Sequence, residues 1–339
     1  MIGLAVVVLA AAGLSAVSLT KAVETEHESR RPTRMSALDR GLDLGKVLDR
    51  PHIVFRSTSP GPTYGLLAAV PLGRPTGKRS VSSLSCDRVY ASATTGICLS
   101  ANRGAVTTYR AQLLSGRLVP RLTVPISGIP SRVRMSSDGS LGAITTFVSG
   151  HSYASLAFST ETTVLETAGA HPIEDLEKTF RTTVDGRVVT ASDLNIWGVT
   201  FGPGPRPRTF YATAATGGST WLVRGDLERR TLTSVGRDAE CPSLSPDGTT
   251  LVYKKRNGSP RRWRYHVLDL TDGSERALPE TRSIDDQVAW LDNDHVLYGV
   301  PRGDSGEVDV WKASVRNSGS PKLLIRNASS PAVVRAAAH

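Results

Sequence analysis

Three groups of side chains in this 339-residue sequence could do chemistry, and each demands a particular scaffold. Ser152, in "GHSYA" (150–154), is flanked like the nucleophile of a hydrolase elbow, which needs a strand before it, a helix after it, and an Asp and a His further on in a parallel sheet. Nothing after Ser152 alternates helix with strand, so the segment reads as a loop and no catalytic residue is expected. Asp285 and Asp286, in "IDDQ" (284–287), could hold a cation at a channel mouth. The seven His and three Cys, however, do not cluster at ligand spacings, and "DLTDGSE" and "LDNDH" suit hairpin corners better than calcium loops. No glycine-rich loop follows a strand and opens a helix, so nucleotides have no cradle. Neither a cofactor nor a metal is expected.

The third group is basic. "YKKRNGSPRRWRYH" (253–266) gathers Lys254, Lys255, Arg256, Arg261, Arg262 and Arg264 around one hairpin, with Trp263 and Tyr265 between them. Such a hairpin could meet an anionic surface polymer, an acidic protein patch or lipid headgroups. It also carries much of the net charge of +10 that 41 Lys and Arg leave over 31 Asp and Glu. Nucleic acid would need a continuous groove on a cytosolic body and is not expected as a partner.

The elements that must position these groups repeat. In "ECPSLSPDGTTLVYKKR" (240–256), Pro246 presets φ, Asp247 accepts local backbone hydrogen bonds and Gly248 can take positive φ, so two antiparallel strands flank the corner. The frame returns in "SRVRMSSDGSLGAITTF" (131–147), "WGVTFGPGPRPRTFYATA" (197–214) and "DQVAWLDNDHVLYGV" (286–300), and more loosely in "DRVYASATTGICLSA" (87–101). The apolar residues just before each corner are Tyr90, Met135, Phe201, Leu244 and Trp290, with Val333 as a sixth equivalent, and they are separated by 45, 66, 43, 46 and 43 positions. A period near 45 with about four strands per unit is the signature of a β-propeller, and six blades fit. With 31 Gly, 20 Pro and 21% charged residues, the composition suits an all-β globular body rather than a disordered chain or a helical bundle.

The first blade lacks its inner strand, since "HIVFRS", "YGLLAAVPL" and "SVSSLS" supply only the second, third and outer ones. The C-terminal "SPAVVR" (330–335) matches the missing frame, so the C-terminal strand is expected to close the ring and remove two exposed sheet edges.

The "LSPDG" corner, the apolar strand after it and "WRYHVLDLTDG" together resemble the repeat of TolB-like six-bladed β-propellers, over about residues 51–335. The resemblance implies a scaffold, a binding module or an appendage of a peptidase. TolB itself carries a small α/β domain before its propeller and works with a partner lipoprotein at the outer membrane, whereas an apolar run and a short polar segment stand in that place here.

That run, 2–19, is uncharged and 18 residues long, at the lower limit for a membrane-spanning helix. Residues 1–20 are therefore expected to be a signal anchor, as one N-terminal hydrophobic helix, or a signal peptide, and 21–50 a tether to a propeller at 51–339. Either form puts the body outside the cytoplasm, anchored to the membrane or secreted after cleavage. Lys21, Arg30, Arg31 and Arg34 follow the run and oppose that orientation, which a basic leader before it would restore. Export makes a disulfide between Cys86 and Cys98 reasonable and leaves Cys241 as a buried thiol.

The interval from Met135 to Phe201 exceeds its neighbours by 21 residues, in "GHSYASLAFST" and "DLEKTFRTTVDGRVVTASDLNIW". Both connections should open on one face, where His151, Tyr153, Phe158 and Trp197 would join Arg261, Arg262, Arg264, Asp285 and Asp286 as a ligand-binding surface. The expected function is a monomeric, non-catalytic propeller outside the cytoplasm that binds an envelope protein or an anionic envelope ligand. The alternative is an exported lyase or hydrolase of propeller type with its site at the channel mouth.

Overall fold

The computed structural model describes residues 37–39, 41–148, 159–169, 171–258, 262–316 and 319–335. Six sheets, antiparallel apart from one pairing at the edge of the fourth, follow one another around a ring. Blade 2 runs from its inner strand Arg88–Ala91 through Thr95–Arg103 and Thr107–Ser115 to Pro120–Ile126 at the rim. Blade 3 has Ile129–Met135, Leu141–Val148, Ser159–Glu166 and His171–Asp175 in the same order. Blade 5 has Glu240–Leu244, Thr250–Arg256, Trp263–Asp269 and Glu275–Ala277, and blade 6 has Ala289–Trp290, His295–Pro301, Val308–Ser314 and Lys322–Ile325.

Blade 1 is built as the sequence implies. His52–Ser57, Leu66–Pro71 and Ser80–Ser85 form its outer three strands, and Ala328–Val334 supplies the inner one, pairing Ile53 with Val333 and Val54 with Ala332. The ring is closed by its two ends.

The corners explain why each inner strand turns back where it does. At Ser245–Gly248 the Gly248 amide donates to Ser245 O at 2.9 Å, and Asp247 Oδ1 accepts from Thr249 N at 3.1 Å. Blade 3 repeats this with Gly139 N donating to Ser136 O at 3.0 Å. Gly139 has φ +75°, and a Cβ there would stand 2.3 Å from Ser92 Oγ, so the corner needs glycine both for its backbone and for contact with blade 2. Neighbouring corners are tied together, as Arg206 N donates to Asp138 Oδ2 at 2.8 Å and Asp247 N to Asn293 Oδ1 at 3.3 Å.

Between each pair of blades lies one apolar cluster, giving six. Alternate residues of the middle strands feed them, for example Ile53 and Phe55 beside Leu297 and Val310 between blades 1 and 6. Cys86 and Cys98 are joined by a disulfide with their Cα atoms 5.5 Å apart, linking the passage into blade 2 to that blade's second strand. Cys241 is a buried free thiol.

The stretch 175–197 differs from the open connection that was expected on the ligand face. It forms a short helix, Leu176–Thr179, and two strands, Arg181–Val184 and Arg187–Val188, that extend blade 4 outward. Blade 4 otherwise consists of Asn195–Phe201, Thr209–Thr216, Ser219–Asp226 and Thr231–Arg237, and Arg181–Val184 pairs in parallel with the last of these. The physical reason is the edge. An outer strand leaves a row of unpaired amides and carbonyls, and the extra strands cover it.

The last part of the segment expected as a tether is docked on blade 1. Helix Leu44–Leu48 is capped by Asp43, whose side chain accepts from Lys46 N at 2.9 Å. Asp39 is buried with Arg79, Oδ1 to Nε 3.1 Å, and Thr63 Oγ1 donates to its other oxygen at 2.8 Å. Arg79 also donates to the carbonyls of Arg326 and Asn327, so one guanidinium holds the N-terminal segment to the residues that lead into the closing strand. The apolar run 2–19 lies outside the described residues. Among the described residues no helix is long and apolar enough to cross a membrane.

Candidate functional site

Every inner strand begins at the face where the second and third strands are joined and ends at the face of the Pro/Asp/Gly corners, so the central channel has two unlike mouths. Between them it is shut. The inner strands of blades 3, 4 and 5 are irregular at Pro130–Arg132, Trp197–Thr200 and Glu240–Ser243, and those of blades 4 and 5 offer carbonyls that no strand neighbour takes. Gln287 Nε2 donates to three of them, Gly198 O at 3.1 Å, Val199 O at 3.2 Å and Pro242 O at 2.7 Å. Gly198 has φ +67°, and a Cβ there would lie 2.6 Å from Cys241 Cα, so this close approach admits only glycine. The remaining space beside Arg88, Arg132 and Asp286 is about 20 Å³, room for about one water.

The first mouth, on the loop face, is an ion network. Asp285 pairs with the buried Lys254 and, at 3.2 Å, with Arg132. Asp286 lies 3.9 Å from Arg88, and its carbonyl accepts from Tyr265 Oη at 3.1 Å. Lys254 also sits 3.8 Å from Glu240 and 4.7 Å from the Trp263 ring centre, while Glu240 accepts from Arg256 Nε at 3.1 Å. Burial opposes ionisation of Asp285, but Lys254, Arg132 and Arg88 outweigh it and hold its carboxyl below the usual range. These charges belong to blades 2, 3 and 5 and to the passage into blade 6, and they pair with one another, although Arg132 Nε is buried with no hydrogen bond.

That arrangement changes the role of several residues read as ligand-binding. Asp285 and Asp286 tie blades together across the channel, with side-chain cations as partners. Among the described residues no three His, Cys, Asp or Glu gather as a metal site. Of the basic hairpin, Lys254 and Arg256 are neutralised by acids, and Lys255 pairs with Glu275 at 2.9 Å. Arg262 is exposed, and the half-buried Arg264 has an Nε without a hydrogen bond. Trp197 is half-buried near the start of the blade 4 inner strand. His151, Tyr153, Phe158 and Arg261 lie outside the described residues, as does Ser152.

The second mouth, on the corner face, is an open funnel of about 630 Å³. Tyr90, Met135, Phe201, Leu244, Trp290 and Val333 all line it, and they are the same six residues that mark the repeat in the sequence. Each closes the channel end of one or two of the apolar clusters between blades. Hydroxyls from the corners, Ser92, Thr94, Ser137 and Ser245 among them, make its rim polar.

Arg134 reaches this funnel from the channel side. Its Nη2 donates to Val288 O at 2.8 Å, and its guanidinium lies 4.5 Å from the centre of the Tyr90 ring. Its Nε is buried with no hydrogen bond, and no carboxylate among the described residues pairs with it. Asp138, the one acid in the lining, is engaged elsewhere. Burial opposes its ionisation, but hydrogen bonds from Ser136, Arg206 N and Ser140 prevail and keep its carboxyl below the usual range.

Sequence inspection passed over Arg134, although a signal was present. The residue just before each marker residue is Val89, Arg134, Thr200, Ser243, Ala289 and Ala332, so a charge occurs in one blade only.

No protein-family model matches the sequence, and a comparison with curated proteins finds no similar chain. Solved structures do match. TolB from Acinetobacter baumannii is 18% identical over 84% of this chain, with a TM-score of 0.55, and the match spans 66% of the TolB chain, just under two thirds. A chain of the nidogen/laminin complex is 12% identical over 84% of this chain and 98% of its own length, also with a TM-score of 0.55. The fold is thus that of a TolB-like six-bladed propeller.

Proposed function

We infer that this chain is a non-catalytic binding module that receives a segment of a partner protein in the corner-face funnel, with its body outside the cytoplasm. The funnel carries this reading: it has the volume and mixed lining of ligand sites, apolar walls with a few polar groups, while the opposite mouth is filled by its own ion pairs. Its lining contains no His, Cys, Lys or Glu, and its one Asp already accepts four hydrogen bonds, from Ser136 Oγ, Ser140 N, Ser140 Oγ and Arg206 N. That favours binding over lyase or hydrolase chemistry. The Cys86–Cys98 disulfide supports an oxidising compartment, and the apolar run 2–19 supplies a means of reaching and staying at the membrane.

The partner is an envelope protein rather than an anionic polymer, because Lys254, Lys255 and Arg256 of the basic hairpin already pair with acids and the funnel is lined mainly by uncharged groups. A photoreactive group placed at the exposed corner residue Ser137 should crosslink to an envelope protein, and one at the exposed Arg262 on the other face should not. Crosslinks from Arg262 alone would move the site to the loop face.

A further inference from the structure

We propose that the group seated deepest in the funnel is a carboxylate, brought in as the C-terminal end of an apolar polypeptide segment and held by Arg134; this rests on the funnel being the binding site. Arg134 is 6% exposed, yet its partners among the described residues are one carbonyl and one aromatic ring. The other deeply buried cations around the ring have acids: Arg79 has Asp39, and Lys254 has Asp285 and Glu240. A buried charge without a counter-ion is costly, and the guanidinium, with five N–H donors and one hydrogen bond among the described residues, has donors left for the two oxygens of a carboxylate. The Tyr90 ring under the guanidinium holds its plane in place.

The source of the carboxylate follows from the channel. Gln287 and the carbonyls of Gly198, Val199 and Pro242 shut it below the funnel, so a chain cannot thread through and must enter by an end. An amino terminus would bring a second cation to Arg134. A carboxyl terminus brings the missing anion. The apolar ring above, with Met135, Phe201 and Leu244, would then contact the side chains that precede the terminal residue.

The test uses the full chain and a pool of N-acetylated apolar tetrapeptides in three forms: free acid, C-terminal amide, and amide with one internal Glu. Retention of the free acids should exceed that of the plain amides roughly tenfold or more, as expected for a charge-assisted bidentate contact. R134M should abolish the difference. R134K, which keeps the charge but not the fork, should reduce it and serves if R134M does not fold. Equal retention of acids and amides, or no retention of either, overturns the carboxylate. Selective retention of the internal-Glu amides overturns the chain-end assignment. If crosslinks from Ser137 persist in any of these cases, only this inference fails; if they are absent as well, the funnel is not the site.

Discussion

Gln287, just ahead of the blade 6 inner strand, donates from Nε2 to the carbonyl oxygen of Pro242 in blade 5 at 2.7 Å. Two carbonyls of blade 4 share the same amide group, so one side chain locks three backbone groups at the channel axis. It also divides the molecule into a mouth that stabilises the ring and a mouth free to bind. Q287A should leave those carbonyls unpaired and lower stability by about 2 kcal/mol. Equilibrium denaturation measures this, and the variant should still form the Ser137 crosslink.

D285N tests the ion network. It leaves Lys254, 2% exposed at its side chain, with only Glu240 at 3.8 Å, but Asp285 itself is half exposed and solvent screens part of the loss. A cost of about 1–2 kcal/mol at pH 7 is expected. Because the folded carboxyl titrates below its unfolded value, its contribution is present above pH of about 4 and is lost as pH falls further. Wild type and variant should therefore converge in melting temperature toward pH 3, and a constant gap would contradict the assignment.

Glu177 predicts the opposite slope. Burial pushes its carboxyl up to about 8, against hydrogen bonds from Thr162 N, Thr160 Oγ1 and Ile196 N. A folded value above the unfolded one means that stability is full below about pH 4.5 and declines as pH rises toward 8. E177Q should flatten that decline while keeping an amide oxygen for Thr162 N. Melting temperatures of both proteins from pH 5 to 8 decide it.

The disulfide closes a loop of 12 positions. Replacing Cys86 and Cys98 together with Ser should cost about 3 kcal/mol on the chain-entropy estimate. Denaturation of the double variant beside wild type in the absence of reductant checks the figure, and unchanged stability would contradict it.

Much of this architecture was legible because it is local chemistry repeated. The corner at Pro246, Asp247 and Gly248 and its equivalents fix hairpins that need no distant partner, and the unmatched "SPAVVR" could belong only to the blade without an inner strand. The extra strands of blade 4 were not legible. Arg181 pairs with Thr231, and no turn signal links residues so far apart. Nor could spacing reveal that Asp285 meets Lys254 and Arg132, since those contacts exist only once the ring closes. The funnel lies between these cases: six of its lining residues are the repeat markers of the sequence, while their convergence is a property of the ring.

The central claim, that ligand enters at the corner face, is tested most directly by blocking each mouth in turn. S137C and R262C, each labelled with a bulky maleimide, place the obstruction on opposite faces, and Cys241 is buried away from the reagent. Capture of the crosslinked envelope protein from solubilised membranes is then measured for both labelled variants against wild type. The label at residue 137 should reduce capture at least tenfold and the label at residue 262 should leave it unchanged. Loss of capture with the label at 262, and none with the label at 137, would contradict the account.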